Sequence, residues 1–172
     1  MKRKITIAAM IIICFILQST IFHTLAVGSI KPNLLIILVS SFGFMKGKKE
    51  GLIIGFICGL LIDIFYGSVV GLNALIYMYI GYLNGFFSKI FYDEDIKLPM
   101  ILITASDFLY GFLTYVFLFL LRGRLNFGYY LSKIIIPEIV YTVLVTIVLY
   151  RIILIVNYRL EDGRKRGSNR FV

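Results

Sequence analysis

The stretch GLIIGFICGLLIDIFYGSVVGLNALIYMYIGYLNG, which runs from Gly51 to Gly85, contains a single charged residue, Asp63. Glycines recur at every fourth position around it, and Asp63 occupies the one place in this series where a glycine is missing. Residues four apart share a face of an α-helix, and a line of glycines lets a second helix approach closely within a membrane. We therefore predict that this line packs helices together and forms a groove for a partner's helix. The predicted contact residues are Gly51, Gly55, Gly59, Asp63, Gly67, Gly71, Asn73, Gly81 and Gly85.

The composition indicates that lipid is the main solvent of this chain. Of its 172 residues, 60% are hydrophobic and 16% are charged, and the mean hydropathy is +0.93. A soluble domain has about 25% charged residues. No long polar linker divides the apolar segments, so we predict one integral membrane domain over residues 1–172. Cys14 and Cys58 lie within apolar runs and are predicted to be small hydrophobic residues, without a disulfide or metal role.

Six apolar segments are candidate membrane spans, since a helix needs about 20 residues to cross the hydrocarbon core. They cover approximately residues 5–27, 30–45, 51–66, 69–91, 98–121 and 134–156. The second and third are short, and each is either an imperfect span or half of a helical hairpin. The predicted fold is therefore an all-α membrane protein, a six-helix transmembrane bundle.

The basic residues predict the orientation of these spans. Most of the 18 Lys and Arg residues lie at the N-terminus, after the second and fourth segments, and in the tail 158–172. The other side holds Lys31, Arg122, Arg124 and Lys133. Because cytoplasmic loops carry an excess of Lys and Arg, we expect both termini in the cytoplasm and the tail near membrane lipids. The same distribution argues against nucleic-acid binding, despite a net charge of +9.

The N-terminus leaves one alternative open. Its basic residues, the apolar run and Ala26-Val27-Gly28 are also typical of a cleavable signal peptide. The polar residues Gln18, Ser19 and Thr20 and the length of the segment favour an uncleaved helix.

Polar residues share one face of each of the last three predicted helices, when residues are placed at about 100° intervals. These sets are Asn73, Tyr77, Gly81, Asn84 and Ser88; Thr104, Asp107, Gly111 and Thr114; and Glu138, Thr142 and Thr146. We expect the three faces to turn inward, where they either bond helices together or line a polar cavity. The predicted intramembrane polar residues are Gln18, Asn84, Asp107 and Glu138.

Charged residues near the predicted outer ends of the spans suggest a second contact. Asp63 and Glu138 fall at the level of Arg122, Arg124 and Lys133. We therefore predict an ionic cluster that holds the third, fifth and sixth spans together on the outer side.

No arrangement of residues in the sequence indicates catalysis. There is one histidine, His23, and there is no HExxH, GxSxG or P-loop motif. Asp63 and Asp107 fall at different predicted depths, which argues against a paired-carboxylate site. We therefore expect no enzyme activity, no cofactor and no metal.

Several of these motifs together resemble the rod shape-determining protein MreD family. The resemblance rests on LQSTIF (17–22), KPNLLIILVSSFGF (31–44) and the opening stretch. Within that stretch, Asp63, the turn between Gly67 and Gly71, and the sequence Asn73-Ala74-Leu75 match the family's recurring pattern. Asn33 departs from it, because many members have Asp after the proline.

The resemblance implies a scaffold of the bacterial cytoplasmic membrane with no chemistry of its own. It implies MreC as the main partner, with RodA, a class B penicillin-binding protein and MreB as further members of the cell-elongation machinery. It also implies a fold similar to the substrate-binding subunits (S-components) of energy-coupling-factor transporters. A vitamin or small-molecule transporter subunit is therefore the alternative function. The Ala-x-x-x-Ala docking pattern of those subunits is missing, because Ile12 and Ile13 follow Ala8 and Ala9.

Overall fold

The computed structural model describes residues 2–20, 30–67, 69–89, 96–118 and 127–168, and every regular element among them is helical. The predicted all-α class is confirmed. The first five helices are α1 Lys2–Ser19, α2 Leu34–Lys46, α3 Lys48–Tyr66, α4 Leu72–Asn84 and α5 Lys97–Leu118. A 3₁₀ turn, Gly85–Lys89, continues α4. The last helix, α6, consists of Phe127–Tyr130, a π-helical turn at Leu131–Ile135, and Ile136–Ser168.

α6 is longer at both ends than the apolar segment 134–156 that predicted it. Hydropathy locates the end of an apolar run, whereas a helix continues through polar residues wherever the backbone allows it. At the N-terminal end, the π turn directly precedes Pro137. Proline lacks the N–H that an α-helix needs in its interior, and a local widening of the helix is a common adjustment there. The helix also extends through most of the predicted basic tail.

α2 forms the centre of the bundle. Its residues from Leu34 to Phe44 are all buried, and it contacts α1, α3, α4, α5 and α6. A helix that is apolar on every side is stable only when it is surrounded, which explains this position. At about 1.5 Å per residue its 13 residues are too short to cross a hydrocarbon core of about 30 Å. α2 is therefore a core helix that its neighbours shield from the surroundings.

The outer surface of the bundle is apolar. Large hydrophobic side chains are exposed on every helix except α2. Examples are Ile12 and Ile16 on α1, Ile53 and Phe56 on α3, Leu75 and Tyr79 on α4, Ile101 and Phe108 on α5, and Leu144 and Val148 on α6. Within the described residues, two helical stretches are long and apolar enough to cross a membrane, Lys97–Leu118 and Gly128–Arg159. The six-span count remains a prediction.

Candidate functional site

The glycines of the opening stretch form the contact between α3 and α4. These helices run antiparallel, so Gly51 lies against Gly81, Gly55 against Tyr77, and Gly59 against Asn73 and Ala74. A Cβ atom added to Gly51, Gly55 or Gly59 would collide with a backbone carbonyl of α4. The two backbones are therefore packed directly on each other, as small residues at a four-residue spacing allow.

This packing accounts for the glycine line within the chain itself, while the groove for a partner's helix remains a prediction. The glycine face is covered by a helix of the same chain, and Gly85 continues the contact against the backbone of Lys48. The sequence pattern identified a helix–helix surface, but the helix that fills it lies only a short turn away. Gly67 and Gly71 belong to that turn, and Gly71 adopts a φ of 102°, which favours glycine.

Asp63 caps the N-terminus of α4. Its carboxylate is 1% exposed. One oxygen accepts hydrogen bonds from the backbone N–H and the side-chain amide of Asn73, at 3.1 and 2.8 Å. The other accepts from the N–H groups of Gly71 and Ala74, both at 2.9 Å. The first N–H groups of a helix need acceptors, and Gly71 at the N-cap has no side chain to supply one. A negative charge at this end also interacts favourably with the helix dipole.

Among the described residues, the hydrogen bonds of Asp63 come from amides, and the predicted ionic cluster with Arg122 and Arg124 remains a prediction. Arg122 and Arg124 lie outside the described residues, as does His23. Lys133 is exposed, and it lines a cavity together with Glu138. The glycine line of α3 ends beside the N-terminus of α4, where the first N–H groups need a hydrogen-bond acceptor. Asp63 supplies that acceptor, which explains why it continues the four-residue spacing of the glycines.

A chain of polar contacts extends from Asp63 through the bundle. Tyr110 on α5 donates to the Asn73 side-chain oxygen at 3.2 Å. The Tyr77 hydroxyl donates to the Asn33 side-chain oxygen at 2.7 Å, and the Asn33 N–H donates to the Thr142 hydroxyl at 3.1 Å. The rings of Tyr77 and Tyr110 meet edge to face, with centroids 5.2 Å apart. These contacts join α2, α4, α5 and α6 at one level.

A second polar contact lies farther along α4. The Asn84 side-chain amide donates to the Ser106 hydroxyl at 2.7 Å and to the Ile80 carbonyl at 2.9 Å. Asn84 and Ser106 are both buried, so this contact bonds α4 to α5. At the other end of the bundle, Gln18 of α1 accepts from the Leu35 N–H at 3.2 Å. Asp63, Asn84 and Thr142 are thus buried within the bundle rather than exposed on its apolar surface.

The two remaining predicted polar residues are carboxylates with few partners. Asp107 is 2% exposed, and neither of its oxygens has a well-formed hydrogen bond, although it faces the Thr142 hydroxyl. Glu138 makes no hydrogen bond or ion pair within the described part of the chain, and it interacts electrostatically with Asp107. Such groups are costly within a membrane and usually have a use.

A cavity of about 430 Å³, which we call the end cavity, lies where α1 and α3 end and α6 begins. Its lining is Phe15, Gln18, Ser19, Ile30, Lys31, Asn33, Ile62, Tyr66, Tyr110, Lys133, Ile134 and Glu138. It therefore combines aromatic walls with two ammonium groups and one carboxylate. The sequence did not predict this cavity as such, although polar stripes left a cavity open as one of two explanations.

Sequence reasoning also missed the salt bridge between Arg3 and Glu50, which joins α1 to α3. The two residues lie at the starts of two predicted helices, and that placement was the available signal. Among the described residues, no group of three or more His, Cys, Asp or Glu side chains could hold a metal ion.

An apolar exterior around a bundle whose buried polar groups mostly bond one another is the structure of an integral membrane protein. The chain belongs to the rod shape-determining protein MreD family, whose model matches residues 1–158. The resemblance seen in the sequence is confirmed. It indicates a membrane protein with a role in rod shape determination, in a family not known for enzymes. No curated protein and no solved structure matches the chain significantly.

Proposed function

We propose that this protein is a non-enzymatic membrane scaffold of the bacterial cell-elongation machinery. In this role it supports rod shape and peptidoglycan synthesis by binding MreC and, through the assembly, RodA, a class B penicillin-binding protein and MreB. The observation that carries the proposal is the family match over residues 1–158. The protein resides in the cytoplasmic membrane as a multi-pass bundle with both termini in the cytoplasm.

The close packing and buried hydrogen bonds of the bundle support a scaffold role. The α3–α4 pair has backbone-to-backbone contact along its glycines, and the polar contacts of Asp63, Asn33 and Asn84 bond that pair to α2 and α5. Such packing and hydrogen bonding hold helices in a fixed arrangement where lipid supplies no hydrophobic drive. A rigid apolar surface of this kind suits docking of a partner's transmembrane helix.

Co-purification tests the proposal. The tagged full-length chain, expressed with MreC from the same bacterium, should retain MreC through detergent extraction and affinity capture. An unrelated polytopic protein with the same tag serves as the control for non-specific capture. If MreC elutes equally from both, binding to MreC is wrong, although family membership would stand. Depletion of the chain in that bacterium should convert rods to rounded cells.

The alternative function is a substrate-binding subunit of a vitamin or small-molecule transporter, and the end cavity is the observation that favours it. The missing Ala-x-x-x-Ala pattern of α1 argues against docking to a transporter's energising partner. Co-purification with an ATPase module in place of MreC would support the transporter over the scaffold.

A further inference from the structure

The end cavity contains charges of both signs that no described residue neutralises. Glu138 has no hydrogen-bond donor or cation within bonding distance among the described residues. Lys31 and Lys133 have no carboxylate partner there either, and the Lys31 ammonium lies 5.8 Å from the centroid of the Tyr66 ring. Lys133 is exposed, whereas Lys31 and Glu138 are partly enclosed, and enclosing a polar group without a partner is unfavourable unless a ligand supplies one.

The position of these groups in the fold indicates a built site. Lys133 lies within the π-helical turn of α6, and Glu138 lies three residues after the end of that turn. Widened turns of this kind occur frequently at functional sites. The volume of about 430 Å³ falls within the range of about 300–1,000 Å³ that is common for small-molecule sites.

A single ligand with both signs of charge would satisfy the whole site. We propose that the end cavity binds a phosphoethanolamine group, with its ammonium at Glu138 and its phosphate at Lys31 and Lys133. Ammonium–carboxylate and lysine–phosphate contacts are charge-assisted hydrogen bonds, which are stronger than neutral ones. The aromatic rings of Phe15, Tyr66 and Tyr110 complete the walls.

The location of the cavity suits such a group. It lies at the ends of α1 and α3 and near the start of α6, which is the level of lipid headgroups if these helices cross the bilayer. The group has two sources, the headgroup of phosphatidylethanolamine and a free small molecule. The inference does not require binding to MreC, so the co-purification result leaves it intact.

Lipid selectivity of the full chain provides the test. Native mass spectrometry would measure binding of phosphatidylethanolamine and of phosphatidylglycerol, which has the phosphate but no ammonium. We expect Glu138→Gln to weaken phosphatidylethanolamine binding at least about tenfold, equivalent to about 1.4 kcal/mol, and to leave phosphatidylglycerol binding equal or stronger. Lys133→Gln should weaken both lipids. Lys49→Gln, an exposed lysine outside the cavity, is the matched control and should weaken neither.

Soluble phosphoethanolamine distinguishes the two sources. Displacement of the lipid by the free compound would indicate a small-molecule site, whereas binding of the lipid without displacement would indicate a headgroup site; both support the proposal. It is overturned if Glu138→Gln leaves the ratio of the two lipid affinities unchanged, or if neither probe binds. If Glu138→Gln does not fold, the Lys133→Gln variant provides the test, because Lys133 is exposed. Unchanged binding of both lipids to Lys133→Gln would then overturn the proposal.

Discussion

Asp63 shows how one side chain stabilises the start of a helix to which it does not belong. Capping groups normally come from the residue immediately before the helix. Here that residue is Gly71, which the turn needs for its positive φ and which offers no side-chain acceptor. The carboxylate of α3 supplies the acceptor from eight residues earlier, so α3 stabilises the start of α4.

The first prediction concerns the charge of this cap. Asp63→Asn keeps one oxygen acceptor but places an amide NH₂ against two N–H donors, so about half of the four hydrogen bonds are lost. We expect a loss of about 3–6 kcal/mol of unfolding free energy, because each of the two lost hydrogen bonds to a charged group contributes about 1.5–3 kcal/mol. Thermal unfolding in detergent would measure it.

Asp107→Asn is the matched control for that substitution. Asp107 is equally buried, but its oxygens have no well-formed hydrogen bonds to lose. Replacement of this carboxyl group should leave stability unchanged or raise it, since a buried polar group without hydrogen-bond partners is unfavourable. Equal losses in the two variants would contradict the capping role of Asp63.

At the residue scale, the sequence predicted that Asp63 belongs to the helix-packing line but not which groups it binds. Its register with the glycines placed it on the right face. The choice between basic side chains and backbone amides depends on where α4 begins relative to α3, and that follows from the conformation of the turn. Charge counting favours ion pairs and does not include unsatisfied N–H groups.

At the scale of elements, the α3–α4 pair is the most sensitive part of the bundle to changes in side-chain size. Because Gly55 lies against the Tyr77 carbonyl, any larger residue must separate the two backbones. We expect Gly55→Leu to cost about 3 kcal/mol or more, or to prevent folding, since overpacking of this kind displaces backbone. Yield of monodisperse protein and the unfolding temperature are the measurements.

Gly128→Leu is the matched control, because nothing lies within 4 Å of a Cβ at that position of α6. Its unfolding temperature should stay close to that of the unmodified protein. If Gly55→Leu were equally well tolerated, the close contact between α3 and α4 would be wrong.

The positions of α2 and α3 were easier to predict from the sequence than their burial. The short segments 30–45 and 51–66 were located well, because apolar runs bounded by glycine and lysine mark their ends. Their roles differ, however, in a way that hydropathy does not reveal: α2 is surrounded on all sides, whereas α3 exposes Ile53 and Phe56. Burial of a mostly apolar helix depends on what its neighbours cover, which is a property of the assembled bundle.

At the scale of the whole molecule, the orientation in the membrane remains to be tested, and cysteine labelling provides the measurement. The native Cys14 and Cys58 are buried and should react little. Lys133→Cys should react with a membrane-impermeant maleimide on intact spheroplasts, because it is predicted to face outward. Lys49→Cys, predicted to face the cytoplasm, should react only after permeabilisation. The reverse pattern would invert the proposed topology.

The inward polar faces were predictable because hydrogen-bonding groups avoid hydrocarbon. The end cavity was not, since it combines residues of α1, α3, α5 and α6 with the segment before α2. A residue pattern along one helix does not predict a space that forms between five separate parts of the chain.

The central position of α2 has a consequence for biogenesis. α2 is synthesised second, yet four of the five helices that contact it, α3 to α6, leave the ribosome later. A segment of 13 residues cannot hold itself across a bilayer while it waits. We therefore expect α2 to reach its final enclosed position only after the last helix, α6, has been synthesised.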